Sequence, residues 1–470
     1  MRILGHVRWP RPVLLLLASA VIAGWYLYLV PRSQWVGLLP STASRAEQVP
    51  VASPRLQAVL DGLQANLTAV YDKHNATVPP AVYPSQALTD AQLERYRHLQ
   101  TPSLTRSARI QANALGRTPL PKYMFTTLTR NIGESLPDLL VALATVIDFV
   151  GPEHTSFSIL EGPSDDLTPV VLEEVLRPLL RHLNVPDSAV SIVTNAPKVQ
   201  WNEVNRIEEL AKLRNQALEP LWADSSKQYL ASTPEHKRRT VGTDVAAVVF
   251  FNDVFIQASD FLELLHQHFV NGQGNPGVGI TTAWDWMARE PAHFYDIDSG
   301  DLFYPIRGEW WTPSEEILDS SPKSRAAFET LTPFQAFSSW NAMAVLSPTP
   351  FLPPFGVRFR RSRTDVDECA ASECTLIASD FWKYGWGRVE VVPAVQLAYS
   401  HKVAVDTALA LKRRKAILGW HDGVPPSNYD GRIKWIKEAP PKIRCHPWPE
   451  QNGLEANVWK TTRWVAPYLL

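Results

Sequence analysis

The sequence predicts an α/β fold in which a mostly parallel sheet is flanked by helices, carried behind an N-terminal membrane-spanning helix and a stem. Three observations lead there. Val13–Val30 is an 18-residue run without a charge. From Lys122 onward, short apolar strand patterns alternate with helix patterns. Ala246–Val254, AAVVFFNDV, is a continuous apolar run ending abruptly in Asn252 and Asp253. Unbroken hydrophobicity is what a strand buried on both faces needs, and such strands belong to parallel sheets. Ligands of open α/β sheets bind outside the carboxyl ends of the strands, so this run brings a carboxylate to the edge where chemistry is expected. A strand-end acid is also ordinary turn punctuation, and the rest of the chain has to decide between the two.

The 470 residues carry 46 Lys plus Arg against 47 Asp plus Glu, a net charge of −1. Nothing in that balance attracts a polyanion, which argues against nucleic acid as a partner. The 39 prolines exceed the usual share of about 5% and point to long irregular connections.

At the amino end, Arg2, Arg8 and Arg11 precede the apolar run, and Pro31 and Arg32 follow it. The run is long enough to cross a bilayer, and Trp25, Tyr26 and Tyr28 suit an interfacial aromatic belt. A cleaved signal peptide is the rival, since Ala18, Ala20 and Ala23 are small, but its apolar core is normally about 7 to 15 residues. The expected organisation is a cytoplasmic tail at 1–12, an uncleaved anchor at 13–30, a lumenal stem at 31–118, a catalytic domain at 119–450 and a C-terminal tail at 451–470. Two glycosylation sequons, at Asn66 and Asn75, fit a lumenal stem. Cys369, Cys374 and Cys445 are the three cysteines. In an oxidising lumen two of them pair, Cys369 with Cys374 being one option; otherwise all three are buried thiols, and no zinc spacing is present.

Within the stem, Thr89-Asp90-Ala91-Gln92 spells a capping box that opens a helix over Ala91–Leu99. The domain begins with a strand-like KYMFTTLT from Lys122. An apolar helix over Leu136–Val150, a strand over Thr155–Leu160, a helix from about Thr168 and a strand over Ala189–Thr194 follow. A helix over Arg206–Leu221 precedes the AAVVFFNDV strand, and another over Ala258–Phe269 follows it. Alternation of this kind calls for right-handed crossovers onto a parallel sheet. The turn after Leu160 holds Glu161, Ser164, Asp166 and Thr168, small and acidic residues that either bind a ligand or cap the next helix.

The helix RIEELAKLRNQALEPL contains an oddity. Ile207, Leu210, Ala211, Leu218 and Leu221 make one apolar stripe, and Arg214 falls on it. A buried Arg needs an anion: either a structural carboxylate or a diphosphate held by the guanidinium fork satisfies it. Other motifs fail. Gly272–Gly277 spells a dinucleotide fingerprint but follows a helix, and His266 and His268 point to different helix faces. Lys412–Lys415 reads as a solvated helix face. In the carboxyl half, 12 of the 17 Trp residues lie from Trp284 onward. They suit saccharide surfaces, or simply a core. Asp296 and Asp298 add a D-x-D by spelling.

Taken together, several blocks resemble the fungal α-1,3-mannosyltransferases of glycosyltransferase family 69, the cryptococcal mannosyltransferase and capsule-associated group. The blocks are Ser158–Glu161 with Ser164, Asp166 and Thr168; Arg206–Leu221; Phe251–Val254; Phe294–Asp296; Trp340-Asn341; Phe359-Arg360; and Ser372–Cys374 with Asp380. The chain departs from the family at Ser338-Ser339-Trp340-Asn341-Ala342, where the family pattern is Ser-Cys-Trp-Asn-Gly, and at Ile297–Asp301 after Tyr-Asp.

The resemblance implies a GT-A-like fold whose Rossmann-type half binds GDP-mannose, a single-pass type II Golgi or other secretory-pathway membrane location, and transfer of mannose to an oligo- or polysaccharide acceptor with retention. Departure of a sugar diphosphate needs its charge neutralised, so Mn²⁺ or Mg²⁺ is the expected cofactor. Asp253 is the first candidate ligand and Asp296 the alternative, with Glu373 as a further catalytic acid. Arg214 is expected at the diphosphate, Glu161 and Asp166 at the nucleoside, and Trp340, Asn341 and Glu373 at sugar and acceptor; Ser164, Arg206 and Asp380 are further substrate-binding candidates, and Asn252 supports Asp253. The alternative is a catalytically silent lumenal protein organising capsule or wall polysaccharide synthesis, which would lack an intact metal and diphosphate site. A glycosidase has only the abundance of loop acids in its favour.

Overall fold

The computed structural model describes residues 52–100, 123–222, 245–272, 277–289, 293–295, 304–305, 321–366, 368–445, 447 and 463–469. The expected anchor at 13–30 and the loop with Asp296 and Asp298 lie outside them. Among the described residues, no helix is long and apolar enough to cross a membrane.

Among the described residues, two helices precede the first strand, α1 (Pro54–Lys73) and α2 (Asp90–Gln100). The capping box at Thr89 forms as expected: Thr89 Oγ1 accepts from Gln92 N at 3.1 Å, and Gln92 Oε1 accepts from Thr89 N at 3.0 Å. Leu63, Leu67, Tyr71, Tyr96 and Leu99 from these helices are buried in the main core, so residues 54–100 are built into the domain. Asn66 and Asn75 are both exposed.

The strands and helices that follow are β1 (Tyr123–Thr129), α3 (Leu136–Val150), β2 (Thr155–Glu161), a helical run opening at Thr168, β3 (Val190–Val193), α4 (Arg206–Trp222), β4 (Ala247–Phe251) and α5 (Ala258–Val270). Strands β3, β2, β1 and β4 lie side by side in that order, all parallel. The unbroken hydrophobicity of β4 has the expected cause. Ala247, Val249 and Phe251 enter the core shared with α1, α3 and α5, while Val248 and Phe250 enter the opposite core with Ala211, Leu218 and Leu221 of α4.

Beyond β4 the sheet is mixed. Its remaining strands are β5 (Ile280–Arg289), β6 (His293–Tyr295), β7 (Tyr304–Pro305), β8 (Phe334–Ser338), β9 (Met343–Leu346) and β10 (Val389–Ala398). The order continues β4-β9-β5-β10-β8-β7, with β9 antiparallel to both β4 and β5. Helices α6 (Pro322–Glu329), α7 (Glu373–Lys383) and α8 (His401–Ile417) and a small hairpin of β11 (Ile443–Cys445) and β12 (Arg463–Val465) complete the chain. The expectation of a mostly parallel sheet therefore holds for the amino half and gives way to a mixed arrangement in the carboxyl half. The reason is the link from β8 to β9. Residues 338–342 must pass two intervening strands, β5 and β10, and deliver β9 reversed against β4. Ser338, which ends β8, and the four linking residues after it are all buried, so their polar groups have to find partners inside: Ser339 Oγ meets Thr282 Oγ1 at 2.7 Å, and Asn341 Nδ2 donates to Ala283 O at 3.1 Å.

Strand β1 is the switch point: the chain goes from it to β2 and β3 on one side, then returns to β4 on the other. The crevice of such a sheet opens at the carboxyl ends of β1, β2 and β4. Those ends carry Arg130–Gly133, Glu161–Asp166 and Asn252-Asp253.

Candidate active site

The Asn252–Phe255 turn at the end of β4 is pinned along its backbone. Asn252 N donates to Ala342 O at 2.7 Å, Val254 N to Asn252 O at 3.0 Å, and Phe255 N to Ala398 O at 3.0 Å. Its partner Ala342 has φ 62 and follows Asn341 at φ 48. Asn tolerates this left-handed region and Ala does so only under strain, which gives a physical reason for the Gly of the family pattern. Asp253 is open to solvent. Even so, desolvation by the surrounding protein raises its pKa, with its own backbone N–H and the Arg214 charge pulling the other way. Asp253 is thus a carboxylate both accessible and desolvated at the carboxyl edge of the sheet.

Arg214 has the anion its position on the apolar stripe demanded. Its Nε donates to Glu373 Oε1 at 2.9 Å, and both side chains are buried. Glu373 is the first residue of α7, where the helix dipole favours a negative charge and Ser372 caps the backbone through Thr375 N at 3.2 Å. Three aromatic rings enclose the guanidinium: Trp340 at 4.6 Å, Phe250 at 5.1 Å and Phe359 at 5.6 Å. The neighbouring Asn215 fixes Phe359 by a double backbone contact, Nδ2 to Phe359 O at 2.8 Å and Phe359 N to Oδ1 at 3.0 Å. Thus the Arg-Asn, Trp-Asn, Phe-Arg and Ser-Glu-Cys blocks converge on one ion pair whose partners are 159 residues apart in sequence. Around it, Arg214 Nη1, Trp340 Nε1 and Asn341 Oδ1 are buried without a hydrogen-bond partner.

The other expected site residues are placed differently. Glu161 is fully buried and accepts from Ser164 N at 3.0 Å, Ser164 Oγ at 2.5 Å and Asn195 N at 2.6 Å. Asp166 accepts from Gly133 N at 2.8 Å and Thr168 N at 2.9 Å. Ser164 Oγ also accepts from Asn131 N at 2.9 Å. These three side chains fold the β2 loop against the β1 loop and so shape the crevice wall. A side chain at Gly133 would put its Cβ 2.7 Å from Asp166 Oδ2, which explains a glycine there. Arg206 opens α4 on the surface, 5.6 Å from the Trp201 ring. Asp380 is taken up by Arg360, which binds it through Nε at 2.8 Å and Nη2 at 2.9 Å and binds Glu368 besides. It clamps the 360–368 segment to α7. Asp296 lies outside the described residues, and among those described no group of three His, Cys, Asp or Glu side chains is placed to hold a metal.

The Cys369–Cys374 pairing is corrected: Cys369 is bonded to Cys445, 76 residues on, and Cys374 is a buried free thiol. Cys374 sits in the first turn of α7, its Sγ 3.5 Å from Glu373 Oε1 and its face toward the Arg214 core, whereas Cys369 packs with Leu376 and the β11 strand. Trp284 and Trp340 are fully buried core residues.

Two residues at this site escaped the sequence reading, Asp285 and Tyr399. Tyr399 donates its hydroxyl to Asp285 Oδ2 at 3.0 Å and lies 3.5 Å from Asn252 Nδ2. Burial raises the Tyr399 pKa, and the charges of Asp285 and Asp253 add to the effect. The available signal was an acid inside the apolar strand pattern ITTAWDWM, where none is expected.

Comparison with known proteins fits this convergence. The family described as cryptococcal mannosyltransferase 1 matches residues 122–380. The α-1,3-mannosyltransferase CMT1 of Cryptococcus neoformans var. neoformans serotype D is 45% identical over 448 residues, covering 93% of this chain and 87% of that protein. Among solved structures, S. aureus TarS has a TM-score of 0.28 at 13% identity, covering 66% of this chain and 41% of its own. The mannosyltransferase PcManGT from Pyrobaculum calidifontis, in complex with GDP-Man and Mn²⁺, has a TM-score of 0.29 at 11% identity, covering 78% and 89%. Scores this low do not bear on the fold. The family match, which takes in β1, β4, Arg214, Asp253 and Glu373, does decide the matter, and the chain belongs to the cryptococcal mannosyltransferase family, a family of hexosyltransferases.

Proposed function

We propose that this chain moves mannose from GDP-mannose to a saccharide acceptor, forming an α-1,3 linkage with retention, on a GT-A-type domain that uses Mn²⁺ or Mg²⁺. The observation that carries the reading is Asp253, an open, desolvated carboxylate at the carboxyl end of β4, beside the switch point of the sheet. Among the described residues no cation reaches it within ion-pair distance. A single carboxylate suits a hard cation that takes its remaining ligands from substrate phosphates, rather than one caged by protein alone. Asp253 would hold that cation, with Asp296 as the alternative. When bound, it neutralises the charge of the departing diphosphate.

The chain's own residues then divide the work. Arg214 supplies a fixed positive charge behind Asp253, and Glu373 keeps that charge in place. With its oxygen bound to Arg214 and enclosed by protein, Glu373 is poorly placed to attack a sugar, which favours departure and attack on one face as the route to retention. Trp340 and Asn341, both fully buried, pack behind the site and do not face the sugar, and Arg214 acts on the diphosphate through its charge. The buried disulfide Cys369–Cys445 supports an oxidising compartment, and with the apolar run at 13–30 it supports a lumenal domain on a single-pass secretory membrane anchor.

The test uses the purified full chain in detergent with GDP-mannose, mannose-containing acceptors, and either Mn²⁺ or EDTA. Mannose transfer that EDTA abolishes and Mn²⁺ restores is expected. In calorimetry, Mn²⁺ should bind weakly alone and about 10-fold or more tightly with GDP present. Turnover of no donor at all would favour the silent lumenal protein.

A further inference from the structure

A phenol has one hydrogen to give. Tyr399, directly after β10, gives its hydrogen to Asp285 Oδ2 at 3.0 Å, so toward Asn252 it presents only an oxygen. The Asn252 amide must therefore turn its NH₂ to Tyr399, 3.5 Å away, and that choice sets where its carbonyl oxygen lies. The backbone that carries this amide is itself fixed, by Ala342 O before Asp253 and by Ala398 O after it. Ala398 adjoins Tyr399, so one strand end fixes both the turn and the amide. Asp285 is buried in the middle of β5, where an apolar residue would cost less to bury.

Resting on the metal-assisted use of a nucleotide sugar argued above, we propose that Asp285 and Tyr399 are positioning residues that orient Asn252, so that its Oδ1 stands beside Asp253 as a second oxygen donor toward the cation and diphosphate. Hard cations accept neutral amide oxygens alongside carboxylates in mixed oxygen sets. Asn252 thereby changes from a support for Asp253 to a partner of it.

Tyr399→Phe removes the acceptor and frees the amide to turn. Its affinity for GDP in Mn²⁺, read by calorimetry, is expected to fall about 10-fold, with KM for GDP-mannose rising to match and kcat changing by less than about 3-fold. Asn252→Asp added to Tyr399→Phe offers an oxygen in either orientation, so it is expected to restore GDP–Mn²⁺ binding. A packing role for Tyr399 would not predict that rescue. If the parent binds GDP with Mn²⁺ and Tyr399→Phe binds equally well, the orienting role is overturned. It is also overturned if Tyr399→Phe loses binding and Asn252→Asp does not restore it. A parent that binds no GDP, with Mn²⁺ or without, instead overturns the functional reading on which the proposal rests.

Discussion

Arg214 donates through Nε to Glu373 Oε1 at 2.9 Å, joining the middle of α4 to the first residue of α7 across 159 residues of sequence. Both side chains are almost wholly enclosed, the contact ties the two helices' family blocks together, and the Arg214 charge is felt at Asp253.

Removing one partner of this pair is expected to cost about 3 to 5 kcal/mol, because the other charge is left buried alone. Arg214→Met and Glu373→Leu should each show that loss in urea unfolding. The double variant should be no less stable than either single one, since it leaves no uncompensated charge. Strictly additive losses would refute the pairing. Mannose transfer should stay lost in the double variant, since the positive charge behind Asp253 is gone.

Asp253 should behave in the opposite way. Its raised pKa means that folding disfavours its ionised form, so Asp253→Asn is expected to keep or raise the melting temperature. Transfer activity should fall on the order of 10²- to 10³-fold. A variant that loses stability and activity together would mark Asp253 as structural.

How much of this was legible follows from how local each signal is. The β4 run, the Thr89–Gln92 capping box and the helices at 136–150 and 206–222 are set by neighbours within a turn or a strand, and they form where expected. Arg214 announced a need for an anion, since a charge on an apolar stripe is visible in sequence; Glu373 as the answer was not, being fixed only by tertiary packing. The same holds for Cys369, whose partner is the distant Cys445 and not the nearby Cys374. The mixed half of the sheet was hidden because its irregular, aromatic connections carry no simple period. Acids such as Glu161 and Asp380 looked like ligands by spelling, yet their oxygens are already occupied by backbone N–H groups and by Arg360.

The helices before β1 offer a third test. Arg95 of α2 grips Glu263 of α5 with Nε and Nη2, both at 2.8 Å, and Tyr96 OH adds a bond at 2.9 Å. Arg95 and its neighbours hold the Glu263 carboxyl down to about 2 despite burial. Arg95→Ala is expected to destabilise the whole domain by about 3 kcal/mol or more, read as a single cooperative shift in unfolding. A change confined to protease sensitivity before residue 100, with the domain midpoint unmoved, would show α2 to be a detachable stem.

Glu390 provides a pH prediction far from the cleft. It is fully buried on β10, where Oε1 accepts from Asn271 Nδ2 at 2.6 Å and Oε2 from Thr281 Oγ1 at 3.0 Å. Thr281 Oγ1 also lies 3.0 Å from His268 Nδ1. Burial pushes the Glu390 pKa up to about 8, the two hydrogen bonds oppose it, and the Glu263 charge adds to it. The folded chain therefore holds a proton that the unfolded chain releases near pH 4.3. Stability from this group is complete below that value and is lost as pH rises through about 8. His266 and His268, lowered to about 4 and about 3 by burial, have opposite linkage: their cost appears as pH falls below about 6.5. Asp260, raised to about 6, has finished titrating by pH 7 or so. Cys374, whose thiol pKa burial raises, and Lys415, whose ammonium pKa burial lowers, also contribute toward the alkaline end. Both are common to the parent and to Glu390→Gln, so the difference between the two proteins over about pH 7 to 8.5 isolates Glu390. Over that interval the parent should lose about 1 kcal/mol more than Glu390→Gln, which keeps an acceptor for Asn271 and cannot ionise. Parallel stability curves for the two proteins would show that Glu390 does not carry a proton in the folded state.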